Sequence, residues 1–433
     1  MVSQSSNRIP TLIRPEPSHG FPPTEKGREA LERMRRLLDE VVLPMVAEHE
    51  HEHGSAAPPL ESDGRLSDSR AELKHAVQQE SAQAGLYVPQ LPKAYGGLEL
   101  GLVDLFYIQE EVFLHGLDGA EWALSWTEGP NHLIPFWSEA SKAAYLDDYL
   151  GGRINACNAI SEESGGSDFL TMTTSARRDG DDWILNGRKF FVTGGPIVEL
   201  GHIFARVEGG GAEELSAFLV PLDSPGVERV RVLQTLMLDG FTGELAFNDV
   251  RLPGSALIGQ EGDGLLFAAM LYNWIRSRRG GLCSGLAQHC AQRALAYARE
   301  RETFGQPIIE YGPVASMLTD NHMDLLAMRA VSLELLDRFE RAGGLLEGEV
   351  SVRDRRDIAV LKTFNEEALY RISDRAIQVH GGRGLLTETK LEKIFRVARN
   401  LRIPGGTTEL QRSAIAETFS ADESDDVKVL ATA

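Results

Sequence analysis

The chain has 433 residues, 42% of them apolar, enough to bury a large core in more than one layer or domain. Its net charge of −20 argues against a nucleic-acid partner, which would need a basic face. No apolar run reaches the roughly 18 residues of a membrane span, and Cys157, Cys283 and Cys290 form no CxxC pair, as expected of buried thiols in a reducing cytoplasm.

Residues 1–24 are polar and Pro-bearing, lack the apolar stretch of a signal peptide, and read as a flexible leader. From Thr24 to about His53 the spacing of Leu31, Met34, Leu37, Leu38, Val41 and Met45 predicts an amphipathic helix. "GSAAPPLESDG" (54–64) is a loop, a second helical region starts near Ser67, and a third fills roughly 102–126. Ser138 is placed to cap a short helix. These segments make an N-terminal helical domain over 25–154.

The texture then changes. "TTSARRDGDDWILNGRKFFVTGG" carries Asp-Gly and Asn-Gly, strong hairpin dipeptides, and "HIFARV", "LSAFLVPL" and "ELAFNDVRL" follow between Gly, Pro and Asp. An antiparallel β-domain over 155–262 is expected, with "EGGGAEE" as a hairpin tip. Helices return at about 264–302, 312–342, 351–380, 387–401 and 407–418, with apolar spacings of three and four, as in a bundle. This C-terminal helical domain spans 263–420, and 421–433 form an acidic, solvated tail. The fold class is α+β, with clefts between layers where ligands bind.

"HEHEH" (49–53) matches H-E-x-x-H through His49, Glu50 and His53. A catalytic zinc needs a buried helix and a third ligand; this run empties into a Gly-Ser-Ala-Pro loop, so a solvated helix end is expected and no metal site. The sequence contains no G-x-G-x-x-G after a strand, no P-loop and no G-x-S-x-G.

Four segments carry more. "AISEESGGSD" (159–168) is hydroxylic and acidic, and "KFFVTGG" (189–195) places an aromatic and a Thr on a strand ending in glycines. "RERETFGQP" (299–307) and "QVHGGRGLL" (378–386) each finish a helix. Singly they are a turn, a hairpin, a helix stop and a C-cap. Together, in this order and with "YGG" (95–97) and "GGT" (405–407), they resemble the acyl-CoA dehydrogenase family over roughly residues 25–420.

The resemblance implies an FAD enzyme, usually a homotetramer, here expected in the cytoplasm. It would act on an acyl-CoA or acyl-carrier thioester and pass electrons to electron-transfer flavoprotein or another acceptor. Ser161 and Ser167 would donate to the isoalloxazine or the pyrophosphate. Phe191, where a Trp is commoner, would cover one side of the ring, and Thr193 would bond its N5 edge. Arg301 and Phe304 would reach the FAD of a neighbouring subunit, and Gln378, Gly381 and Gly382 would receive its adenosine diphosphate half. A cation facing pyrophosphate and a close-approaching glycine backbone suit those roles. Arg276 would stand near flavin and thioester, whereas Arg278 and Arg279 have no counterpart and read as a solvated or ion-paired face.

The stretch "RIPGGTTELQR" (402–412) departs from the family. Relatives read aromatic-Glu-Gly-Thr where this chain has Pro404-Gly405-Gly406-Thr407. The Gly405 N–H would still hold a thioester carbonyl, and Thr407 would serve the flavin, but Gly405 has no carboxylate to remove the α-proton. The alternative family position for that Glu is Ile275. Three readings follow: another carboxylate acts, with Glu121 the candidate and a surface helix Glu its plain alternative; the reaction needs no base, as in acyl-CoA desulfinases; or the chain is a non-catalytic subunit of a heteromer.

Overall fold

The computed structural model describes residues 12–53, 60–210, 214–343 and 348–419, with a short strand at 428–430. Leader residues 1–11, loop residues 54–59, hairpin-tip residues 211–213 and most of the expected tail lie outside the described residues.

Helices α1 (Glu25–Leu37) and α2 (Leu43–His53) are joined by one π-helical turn, Leu38–Val42, so the first expected helix is continuous but widened. Helices α3 (Asp68–Gln83), α4 (Leu102–Leu114) and α5 (Glu139–Leu150) follow. Side-chain caps start them where polar oxygens can take up unpaired amides: Thr24 Oγ1 accepts from Gly27 N at 3.0 Å, and Ser138 Oγ from Ser141 N at 3.1 Å. The third helix stops at Leu114, not near 126, because Gly116 (φ 88°) and Gly119 (φ 136°) hold backbone that L-residues avoid. Only a 3-10 turn, Ala120–Ala123, remains of its expected second half.

The middle of the chain forms strands β1 (Ala156–Ala159), β2 (Ser175–Asp179), β3 (Asp182–Thr193), β4 (Leu200–Val207), β5 (Leu215–Pro221), β6 (Val227–Val232), β7 (Thr242–Leu252) and β8 (Leu257–Ile258). They pair in the order β6-β7-β3-β2-β4-β5-β8, with β1 also on β4. Most ladders are antiparallel as expected, but β1 and β2 both run parallel to β4, so the sheet is mixed.

Beyond it come α6 (Gly264–Ser277), α7 (Arg279–Glu300), α8 (Gly312–Ala342), α9 (Val352–His380), α10 (Leu391–Leu401) and α11 (Thr408–Glu417). The expected helix over 264–302 is therefore two helices meeting at Arg278, and α10 starts only after 3-10 turns that follow His380. Within the expected tail, Lys428–Leu430 pairs antiparallel with Glu349–Ser351, so that stretch is a strand and not solvated coil.

α4 holds the helical layers together. Every one of its residues is buried, carboxylates included. Asp104 accepts from Thr24 N and Oγ1 at 2.8 and 2.6 Å, and Glu110 pairs with Arg329 at 2.9 Å. Glu111 takes Arg14 at 2.6 Å and Arg35 at 2.8 Å. Buried charges are ordinarily paired in this way. Residues 12–24, expected within a flexible leader, are consequently tied down: besides Arg14, Ser18 N donates to Tyr107 Oη at 2.9 Å and Ile13 N to Gln292 Oε1 at 2.6 Å.

Burial pushes the Glu111 carboxyl up, but His115, Arg14 and Arg35 outweigh it and hold the group at about 2. A depressed carboxylate contributes stability that is present above its unfolded value, roughly 4.3, and lost as pH falls through the folded one. Glu111→Gln should therefore cost about 1.5–3 kcal/mol at neutral pH and flatten the acid limb of thermal stability. Melting curves from neutral to strongly acidic pH check this; an unchanged acid limb would remove Glu111 as its source.

Candidate active site

One large cavity, about 1320 Å³, lies between the sheet, the turn after α4, α6 and the α10–α11 break. It exceeds the roughly 300–1,000 Å³ of a pocket for one small ligand, leaving room for two groups side by side. Glu121, Ser161, Ser167, Phe191, Thr193, Gly405 and Thr407 all line it, so seven of the expected site residues come together in one chain.

The α10–α11 break is shaped by its glycines. Gly405 and Gly406 both have left-handed φ, 77° and 90°. A Cβ on Gly406 would stand 2.4 Å from Gln411 Nε2, whereas one on Gly405 would meet only ordinary contacts, Lys362 Cε at 3.5 Å and Ile275 Cγ2 at 3.6 Å. Arg276 Nε donates to the Gly405 carbonyl at 2.9 Å and pins the turn to α6. Among the described residues the Gly405 and Gly406 amides donate to no backbone acceptor. Gln411 Nε2, beside Gly406, is buried without a partner. Thr407 caps α11, its Oγ1 accepting from Leu410 N at 3.2 Å, and its hydroxyl proton stays available. This is a cradle of donors with space in front of it.

On the sheet side, β3 breaks register between Lys189 and Val192, and Phe191 sits at that irregularity with φ 54°. The bulge leaves its ring 62% exposed, facing the cavity. Thr193 ends the same strand, half-buried. Ser161 carries the cavity edge inward, its carbonyl accepting from Phe190 N at 2.9 Å, and Ser167 lies exposed at the mouth. The intervening Glu162 is not a free acid: burial opposes its charge, but Lys189 at 3.0 Å and the Thr173 and Thr174 donors hold it at about 2.

Glu121 lies beyond the end of α4 and lines the cavity. It stands on the 3-10 turn after α4, half-buried, with Oε2 accepting from Gly119 N at 2.7 Å. What it touches is the cavity, so burial raises its carboxyl above the ordinary range against the pull of Lys393 and that amide. Asp118 behind it is committed to Lys390 and Lys393 at 3.1 and 3.4 Å, and Glu128 to Lys74 at 3.4 Å. Asp239, which nothing in the sequence singled out, also lines the cavity with a carboxyl raised by burial; it lies in the segment joining β6 to β7.

The arginines correct the sequence reading. Arg276 is buried, as are Arg278 and Arg279, which were expected on a solvated or ion-paired face. Arg279 does pair, Nε to Glu366 Oε1 at 2.9 Å, and Lys362 meets the other oxygen of Glu366 at 2.7 Å. Arg278 instead lies over the rings of Trp126 and Trp274, 4.0 and 4.9 Å from their centroids.

Arg301, Phe304, Gln378, Gly381 and Gly382 do not line this cavity. They sit on the surface at the adjoining ends of α7 and α9, where Tyr297 stacks on His380 at 4.4 Å. Phe304, with φ 51°, is 95% exposed at the tip of the small hairpin Glu302–Pro307, and nothing stands within 4 Å of a Cβ on Gly381 or Gly382. One chain thus presents two separated sets of expected binding residues.

The acyl-CoA dehydrogenase middle domain matches residues 157–250 and the acyl-CoA dehydrogenase C-terminal domain residues 262–419. Cyclohex-1-ene-1-carbonyl-CoA dehydrogenase of Geobacter metallireducens is 30% identical, over 76% of this chain and 86% of its own. The human mitochondrial short-chain specific acyl-CoA dehydrogenase is 28% identical over 90% and 89%. The crystal structure of a Mycobacterium smegmatis glutaryl-CoA dehydrogenase in complex with FADH2 superposes with a TM-score of 0.75 at 22% identity, covering 92% of this chain and 95% of that one. No described helix is long and apolar enough to cross a membrane.

Left-handed backbone costs an L-residue about 1–2 kcal/mol. Gly405→Ala should lose about that much, and Gly406→Ala more, because its Cβ also collides with buried Gln411. Thermal melts of the two variants check the order; equal or reversed losses would contradict this reading of the turn.

Proposed function

Because the chain belongs to the acyl-CoA dehydrogenase family, we propose that it is an FAD-dependent oxidoreductase acting on the CH–CH group of an acyl-CoA or acyl-carrier thioester, with Glu121 as its base. The observation that carries this is the composition of one cavity: free amides at the Gly405–Gly406 turn, and a carboxylate of raised proton affinity at Glu121.

The residues fit the cofactor. Phe191 offers a ring face at a bulge, Thr193 and Thr407 offer hydroxyls, and Ser161 and Ser167 offer donors along the same edge. Arg301, Gln378, Gly381 and Gly382 would serve the adenosine diphosphate half on a second chain, which makes a homo-oligomer, by family habit a tetramer, part of the proposal. When bound, the flavin supplies a hydride acceptor for the substrate β-carbon. Electron-transfer flavoprotein or another acceptor would then reoxidise it.

The protein's own part is orientation and proton transfer. The Gly405 N–H holds the thioester carbonyl and favours negative charge building on its oxygen, which acidifies the α-carbon. Arg276 fixes the turn by its bond to the Gly405 carbonyl. Glu121 accepts the α-proton on a carboxylate oxygen; Oε2 already bonds Gly119 N, and that bond keeps the side chain aimed. A raised carboxyl is the stronger base once ionised.

Glu121→Gln keeps shape and hydrogen bonding but cannot take a proton, so flavin reduction by a true substrate should slow about 10²–10⁴-fold with little change in Kd. In the unsubstituted protein the rate should rise with pH through a midpoint above the usual carboxylate range. Gly405→Glu restores a carboxylate at the family position; its Cβ meets only ordinary contacts, but φ 77° strains it. If Glu121→Gln is harmless and Gly405→Glu alone creates desaturation, the base-free lyase or the quiet subunit takes over. Separately, Arg301→Ala should lower FAD occupancy of the purified protein, and unchanged occupancy would remove Arg301 from the cofactor site.

A further inference from the structure

We propose that Arg278 recognises a carboxylate at the far end of the substrate's acyl group, so that this chain takes acyl thioesters that end in an anion. The inference rests on the proposed thioester reading and names the substrate class within it.

Arg278 is only 5% exposed, yet no acceptor among the described residues holds its guanidinium. Its Nε is buried without a partner, and the residue lines the cavity. An isolated buried cation is costly and ordinarily finds a counter-ion. Its neighbours show that the chain can provide one: Arg279 has Glu366, and Lys74 has Glu128. Arg278 is left with aromatic faces, Trp126 on one element and Trp274 on another. Indole faces stabilise a cation and fix its plane without using its N–H groups. The planar fork of donors then suits a carboxylate.

The surroundings agree. Asn131 Nδ2, also lining the cavity, is buried without a partner, so a second donor awaits an acceptor. Glu128, the cavity carboxylate whose charge Arg278 feels, is already committed to Lys74. Burial and neighbouring Arg279 lower Arg278 to about 9, which leaves it charged at neutral pH. Arg276 does not line the cavity and is directed to the Gly405 carbonyl, whereas Arg278 lines it and lies against Trp126.

The test is calorimetric titration of the flavin-loaded protein with acyl-CoAs in matched pairs, one member ending in a carboxylate and the other unsubstituted at equal chain length. Wild type should bind the carboxylated member of the best pair at least about tenfold more tightly. Arg278→Met should abolish that preference while leaving the unsubstituted partner's Kd unchanged, and Arg278→Lys should keep part of it. Equal binding within every pair, or a preference that survives Arg278→Met, overturns the inference and leaves the thioester reading intact. Failure of any acyl-CoA to bind wild type overturns the thioester reading itself, and this inference with it.

Discussion

The hydrogen bond from Arg276 Nε to the Gly405 carbonyl joins the two halves of the site. Arg276 comes from α6, packed against the sheet; Gly405 belongs to the turn between the last two helices of the bundle. Two successive left-handed glycines turn the chain there, and Pro404 before them cannot continue α10. Everything else in the cavity is arranged around that pinned turn: the bulge of β3 presents Phe191, the 3-10 segment after α4 presents Glu121, and the α6–α7 junction presents Arg278. Releasing the turn would leave the amides without a fixed direction, and directed donors are what such a site needs.

The chemistry follows from what the turn lacks. A Cβ at 405 would meet only ordinary contacts, Lys362 Cε nearest at 3.5 Å, so the turn itself does not exclude a side chain there. Lys362 is instead neutralised by Glu366, which Arg279 also holds. Beneath the turn two cations, Lys362 and Arg279, thus already share the one carboxylate of Glu366. The cavity's buried or half-buried acids without a lysine partner lie elsewhere, Glu121 and Asp239, each raised by burial; Glu162 and Glu128 are spent on lysines, and Glu163 is exposed. Each is held by a backbone amide, Glu121 by Gly119 N at 2.7 Å and Asp239 by Phe241 N at 3.1 Å, and the bond to Glu121 is the shorter.

Much of this was legible in the sequence because local chemistry decided it. Asp-Gly and Asn-Gly marked hairpins, Ser138 marked a cap, and the spaced apolar positions marked helices. Motif order then brought distant segments into one cavity. What failed to show had long-range causes. The early end of α4 depends on glycines whose φ only the packing reveals, and the parallel pairing of β1 and β2 with β4 leaves no signature in either strand. Residues 12–24 looked free because Glu111, which holds Arg14, is nearly a hundred positions away. Arg278 looked like a surface charge because arginine usually is one; only its place between two tryptophans makes it otherwise.

Anaerobic mixing of the flavin-loaded protein with a panel of acyl-CoAs, followed by flavin absorbance, tests whether the cavity oxidises an acyl thioester. At least one acyl-CoA should bleach the oxidised flavin and be recovered as the 2,3-unsaturated product. Tight binding of acyl-CoAs across the panel with no bleaching by any of them would contradict it.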